Sequence, residues 1–198
     1  MWSPVREYEP AWFHPRILVG SGTQSIRLLS RHKITAVINC AFPQDCPEVT
    51  KRILGPRYVC LQAYDSPHVN ILDWFPAFEE AMYRFLRETT GIVYVHCQAG
   101  MNRSAFLALA FVCKNFGMDL TTTVTLTKSQ RPIIFQNQVF MAQVQSFING
   151  HLSRAENSRL IGGSENGNAG LGPSGHRPES AGNGEPTRDS SSGTPETA

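Results

Sequence analysis

Along the first 150 residues, short apolar runs alternate with stretches whose apolar positions recur every three or four residues. Ile17-Leu18-Val19 is an apolar run closed by Gly20-Ser21-Gly22. Ile34–Asn39, Tyr58–Gln62 and Ile92–His96 are short, apolar and partly β-branched, the pattern of buried strands. Helical patterns lie between and after them. Thr23–Arg31 is a modest one. Asp73–Arg87 sets Phe75, Phe78, Met82, Phe85 and Leu86 on one face, with Asp73 available as a cap and Pro76 in the tolerated first turn. Ser104–Phe116 is apolar almost all round, which predicts a buried central helix stopped at Gly117. Asn137–Leu152 is amphipathic through Phe140, Val144, Phe147 and Ile148. Leu120–Thr127 reads two ways. Its alternation and β-branching favour a strand, whereas Asp119 before it and Arg131-Pro132 after it are helix boundaries. Strands alternating with helices predict an α/β fold: a central, mostly parallel twisted sheet flanked by helices.

The pattern ends near residue 151. Beyond Leu152 the chain is rich in Gly, Ser, Pro, Asn and Glu and nearly free of aromatic and β-branched residues. Such a segment buries too little apolar surface to offset the entropy of ordering it. The expected organisation is a folded domain over 1–154 and a disordered Gly/Ser/Pro-rich tail over 155–198. Charge adds little. Residues 1–150 carry 14 Lys/Arg against 10 Asp/Glu, and residues 151–198 carry 4 against 6. A body at +4 is not built to coat nucleic acid; it fits an anionic substrate and an ordinary solvated surface equally. Five cysteines, an odd number, follow an amino terminus whose Arg6, Glu7 and Glu9 no apolar signal core would contain. The longest wholly apolar run, Ala105–Cys113, is too short to span a bilayer. The expectation is a soluble protein of a reducing compartment, cytoplasm or nucleus, with free thiols.

The chemistry concentrates in Val93–Ser104, where an apolar strand runs through a short loop into an apolar helix. Backbone amides of such a loop and of the helix start make an anion cradle. Gly100 permits the tight curvature. Gln98, Ala99, Gly100, Met101 and Asn102 separate Cys97 from Arg103, enough chain to wrap a tetrahedral oxyanion. The sulfur then lies beneath the anion, and the guanidinium donates two parallel hydrogen bonds from the side. The positive surroundings favour thiolate over thiol. His96 can order the sulfur's neighbours through its ring nitrogens, and Ser104 can donate to the sulfur as it leaves. A lone cysteine after a buried strand is usually an inert core residue. The conjunction His-Cys, five residues, Arg-Ser, set between strand and helix, is far more specific.

His96–Ser104 resembles the HCxxGxxRS signature of the cysteine-based protein tyrosine phosphatase superfamily, and the flanks resemble its small dual-specificity phosphatases. Trp12–Ser21 is similar to that family's opening segment, Ile34–Asn39 to its "ITxVxN" strand, and Arg131–Asn137 to its "RPxIxPN". Gln136 stands where the family usually has Pro. The resemblance spans roughly residues 10–150. It implies a compact phosphatase fold and a helix over 120–129. It also implies hydrolysis of phosphotyrosine and phosphoserine/threonine in proteins through a phosphocysteine on Cys97.

A general acid is required. Asp65, just after the Tyr58–Gln62 strand, matches the family's acid in position. Its competitor Asp73 is better employed as a cap, and Asp45 is remote from the matching position. No metal or cofactor is implied, because loop amides and Arg103 stabilise the charge. Asn137 and Arg131 are placed behind the loop or at its rim. Arg131 either reaches a second anionic group at the pocket mouth or makes a structural ion pair. Cys40 is either a reversible disulfide partner of Cys97, as in some relatives, or a small buried hydrophobe. Cys46, Cys60 and Cys113 have no metal-site spacing. The implied partners are phosphorylated proteins, with no membrane and a monomer favoured. One alternative is an RNA 5′-triphosphatase, suggested by Asn102-Arg103 but opposed by Ser104 in place of Thr. The other is a catalytically dead phosphoprotein-binding module, opposed by the presence of both Cys97 and Arg103.

Overall fold

The structure is a computed structural model and describes residues 8–162. Its elements in order are β1 (Ala11–His14), β2 (Ile17–Ser21), α1 (Ser25–Arg31), β3 (Ile34–Asn39), α2 (Glu48–Leu54), β4 (Tyr58–Cys60), α3 (Phe75–Glu88), β5 (Ile92–Cys97), α4 (Arg103–Phe116), α5 (Leu120–Gln130) and α6 (Gln138–Gly162). The sheet order is β1-β2-β5-β3-β4, with β1 antiparallel to β2 and every other pair parallel. This is the expected mostly parallel α/β sheet, with one antiparallel edge.

The period-two alternation of each strand divides two cores. Ile17, Val19, Ala36, Ile38, Val93 and Val95 face one side and pack with α3, α4 and α6, while Leu18, Val37 and Tyr94 face the other and pack with Leu28 of α1 and Leu54 of α2. β5 lies between β2 and β3, and its two faces meet the two cores, so it is enclosed on every side, which is why its sequence is almost continuously apolar. Residues Ser104–Val112 of α4 are wholly sequestered from solvent, as the all-round apolar pattern requires. Cys97 ends β5 at the carboxyl edge of the parallel strands, where strand order places a crevice.

Leu120–Gln130 is a helix, as the resemblance implies: Asp119 accepts from the Thr122 N–H at 2.7 Å, and Thr123 and Thr127 back-bond to carbonyls one turn earlier on the buried face. Three expectations change. The strand from Tyr58 stops at Cys60, because Gln62 takes a left-handed φ of 56°. Asp73 does not cap α3; the chain enters that helix through a 3-10 turn, Ile71–Trp74, and Asn70 caps the turn by accepting from the Leu72 N–H. Finally, α6 runs past the 154/155 boundary to Gly162, through Ala155, Glu156, Arg159 and Leu160, which are good helix formers. The remainder of the expected disordered tail, 163–198, lies outside the described residues. Among the described residues no helix is long and apolar enough to cross a membrane.

Candidate active site

The loop from Cys97 to Arg103 is held from outside by its carbonyl groups. The carbonyl of Gln98 accepts from the Gly22 N–H (3.4 Å), and that of Ala99 from Arg131 Nη2 (2.8 Å). The carbonyl of Gly100 accepts from Arg131 Nε (2.9 Å), that of Met101 from the Phe135 N–H (2.8 Å), and that of Asn102 from the Phe106 N–H (2.9 Å). In a trans peptide the N–H points opposite to the C=O. Five consecutive carbonyls turned to outside partners therefore turn the next five amides, Ala99 to Arg103, toward the inside of the loop. The result is a cradle of N–H donors for an anion. Gly100 sits at φ 65°, and a Cβ there would lie 2.3 Å from the Gly20 carbonyl, so both backbone conformation and close approach demand glycine.

Cys97 is 2% exposed, and Ser104 Oγ donates to its Sγ at 3.3 Å. Arg103 is also buried, its Nη1 donating to the Ala63 carbonyl at 3.1 Å. Its Nε is sequestered from solvent and has no acceptor among the described residues. A buried cationic donor left unmatched is costly, and an oxyanion in the cradle would match it. His96 is fully buried on the opposite face of β5, stacked on Tyr94, with Nδ1 3.4 Å from the Cys97 carbonyl. Burial pushes its pKa down to about 4, so the ring is neutral near pH 7.

Asp65 follows the edge strand β4 and meets the loop at Asn102. Asn102 Nδ2 donates to both of its carboxylate oxygens (3.0 and 3.3 Å), and Asn137 Nδ2 donates to one (3.3 Å). Asp73 lies in the 3-10 turn ahead of α3, and Asp45 accepts from the Phe42 N–H in the turn after β3. Of the three acids, Asp65 is the one hydrogen-bonded to the Cys97–Arg103 loop.

Arg131 does not reach the pocket mouth. It is 2% exposed and lies behind the loop, where it also donates to the carbonyls of Tyr8 and Glu9 through Nη1. Four carbonyl contacts exhaust most of its planar donor set, so it braces the cradle. Cys40 follows β3 as Cys97 ends β5. Asn39 pairs with His96, the Cys40 N–H donates to the His96 carbonyl at 2.7 Å, and both cysteines belong to the same core face. Burial first, and the neighbouring Cys97 second, push the Cys40 thiol well above its ordinary pKa.

Two contributors escaped the sequence reading. Gly22 supplies the N–H to Gln98, and a Cβ there would collide with the Asp45 carbonyl; its pairing with Gly20 at a strand end was the available signal. Phe135, at φ 61°, supplies the N–H to Met101 and is held there between Phe13 and Phe106. No signal in the sequence marked it. Among the described residues no group of three or more His, Cys, Asp or Glu could hold a metal ion.

Mouse dual specificity protein phosphatase 19 is 32% identical over 136 residues, covering 67% of this chain and 59% of that protein. Human dual specificity protein phosphatase 21 is 33% identical over 122 residues, 61% of this chain and 60% of that one. The chain thus spans about three fifths of the length of these curated relatives. The crystal structure of human DUSP28 superposes with a TM-score of 0.62 at 23% identity, covering 75% of this chain and 98% of that one, and so shares the fold. Residues 17–149, which hold the cradle, Cys97, Arg103 and Asp65, match the family described as "Dual specificity phosphatase, catalytic domain", and the chain belongs to that family.

Proposed function

We propose that this chain hydrolyses phosphate monoesters on proteins, accepting phosphotyrosine as well as phosphoserine and phosphothreonine. The observation that carries the reading is the cradle: inward amides from Ala99 to Arg103, the unmatched buried Nε of Arg103, and Cys97 at the foot of the loop. Cys97 thiolate attacks phosphorus and the bond to the substrate oxygen breaks. Asp65 gives that oxygen its proton, leaving a phosphocysteine. Water then attacks phosphorus, the Asp65 carboxylate takes its proton, and the S–P bond breaks as Ser104 donates to the departing thiolate. Amides and Arg103 hold the equatorial oxygens through both steps.

Breadth toward substrates is supported by the economy of the body. The recognised elements follow one another within residues 8–162, without an additional element walling the crevice. A shallow rim lets the shorter phosphoserine and phosphothreonine side chains reach Cys97. Five free cysteines support a reducing compartment, cytoplasm or nucleus.

The test is a steady-state comparison of phosphotyrosine peptide, phosphothreonine peptide and triphosphate-ended RNA, with Cys97→Ser as the control. Hydrolysis of both peptides, slower attack on RNA, and vanadate binding without turnover in Cys97→Ser are expected. A preference for RNA would assign the chain to triphosphate chemistry, and turnover by Cys97→Ser would remove the covalent mechanism.

A further inference from the structure

Asn102 occupies the last position of the loop before Arg103, and its side chain joins three segments. Its Oδ1 accepts from the backbone N–H of Gln136 (2.9 Å) and of Asn137 (3.0 Å). Its Nδ2 donates to both oxygens of Asp65. The orientation of the amide is dictated by this network. Two backbone donors converge on one end of the side chain, and only the oxygen can accept them. The NH₂ group is thereby committed to the other end, where the carboxylate lies. Asn102 is 9% exposed, so water competes little for these bonds.

Gln136 is the residue at which the chain departs from the "RPxIxPN" pattern. Its contribution to the network is a backbone N–H, which proline lacks. With proline there, Oδ1 would keep a single donor, and the rotation of the amide would be less defined. The sequence thus carries an asparagine in the loop and a non-proline opposite it, and the structure bonds the two together.

We propose that Asn102, oriented by the Gln136 and Asn137 amides, is the positioning residue for Asp65. It ties the acid to the phosphate cradle so that the carboxyl faces the leaving oxygen in each encounter. The inference rests on the reading of Asp65 as general acid. A proton donor acts only within hydrogen-bond reach of the departing oxygen, and small misplacements are costly. Asn137 adds a longer bond to the same carboxylate, while its own Oδ1 accepts from the N–H groups of Val139 and Phe140 at the start of α6.

The experiment compares wild type, Asp65→Asn, Asn102→Ser, Asn102→Asp and the Asp65→Asn/Asn102→Ser double variant. The readout is the ratio of kcat/KM for phenyl phosphate, whose leaving group needs a proton, to that for dinitrophenyl phosphate, which does not. A ratio cancels any uniform loss of anion affinity, including that from the added charge in Asn102→Asp. Asn102→Ser is expected to lower the ratio on the order of 10- to 10²-fold, the cost of a misplaced reacting group, while vanadate affinity is kept. Asn102→Asp keeps the oxygen for Gln136 and Asn137 but turns an acceptor toward Asp65, and is expected to lower the ratio too. The double variant should be little worse than Asp65→Asn. If Asp65→Asn leaves the ratio unchanged, the acid assignment itself falls. If Asp65→Asn lowers the ratio and neither Asn102 variant does, or if the two losses multiply, the positioning role is overturned and the acid assignment stands.

Discussion

The hydroxyl of Ser104 donates to the sulfur of Cys97 across 3.3 Å, between two buried side chains. On the proposed mechanism, that bond is most useful when the sulfur carries full negative charge, as phosphocysteine breaks down. Ser104→Ala is therefore expected to slow the second step on the order of 10- to 10²-fold, the worth of a hydrogen bond to a charged group. Rapid-quench measurement with an aryl phosphate should show a burst of phenol absent from wild type. Equal slowing of burst and steady state would assign the hydroxyl to loop structure.

Arg131 stabilises the cradle by binding the carbonyls of Ala99 and Gly100. Arg131→Lys keeps the charge but cannot span both carbonyls together with Tyr8 and Glu9. A loss of at least about 3 kcal/mol of folding stability is expected from several bonds to a buried cation, together with weaker phosphate binding. Urea unfolding and phosphate titration check both. Weakened phosphate binding at unchanged stability would return Arg131 to the pocket mouth.

His96 makes stability depend on pH. Its folded pKa of about 4 lies below the ordinary 6.5, because the charged ring is excluded from its buried site. The unfolded chain takes up a proton below pH 6.5 that the folded ring refuses until pH nears 4. The contribution is complete above that window and declines as pH falls through it, by about 3 kcal/mol. Urea midpoints measured from pH 7 down to pH 4.5 should fall less steeply for His96→Gln than for wild type. Parallel curves would show that other groups set the acid limb.

Cys40 and Cys97 are lateral neighbours where β3 and β5 end, on one face of the sheet. Peroxide is expected to oxidise Cys97 first, and Cys40 then to displace hydroxide from the sulfenate to give a disulfide that dithiothreitol reverses. The raised pKa of Cys40 makes this second step slow, since the thiolate is the attacking species. Peptide mapping over time reads it directly. Sulfinate on Cys97 without any Cys40–Cys97 crosslink would leave Cys40 as core packing alone.

Much of the fold was legible because strands and helices announce themselves by local periodicity. Ile34–Asn39 was placed at both ends from its pattern, and α4 was recognisable because a helix apolar on every side has nowhere to be but inside. The cradle was equally legible, since a cysteine, five residues and an arginine between a strand and a helix form a contiguous unit. Local pattern was weakest where neighbours in space decide. The threonines of Leu120–Gln130 carry strand propensity, yet the Asp119 cap and a buried face make them helical.

The sequence by itself determined the family, and its motif marked which sulfur and which guanidinium bound the loop and that a carboxylate follows β4. Only the tertiary structure decided how those groups are held. Arg131 meets Gly100 across 31 residues of chain, and Asn102 meets Asp65 across 37. In a one-dimensional pattern a buried arginine and a rim arginine look alike, as do a loop asparagine that fills a position and one that aims an acid. What separates them is the direction of individual donors and acceptors. That direction is set by where distant backbone carbonyls and amides come to rest once the sheet has closed on α4, because a buried polar group must find its partner there or lose the hydrogen bond it had in water.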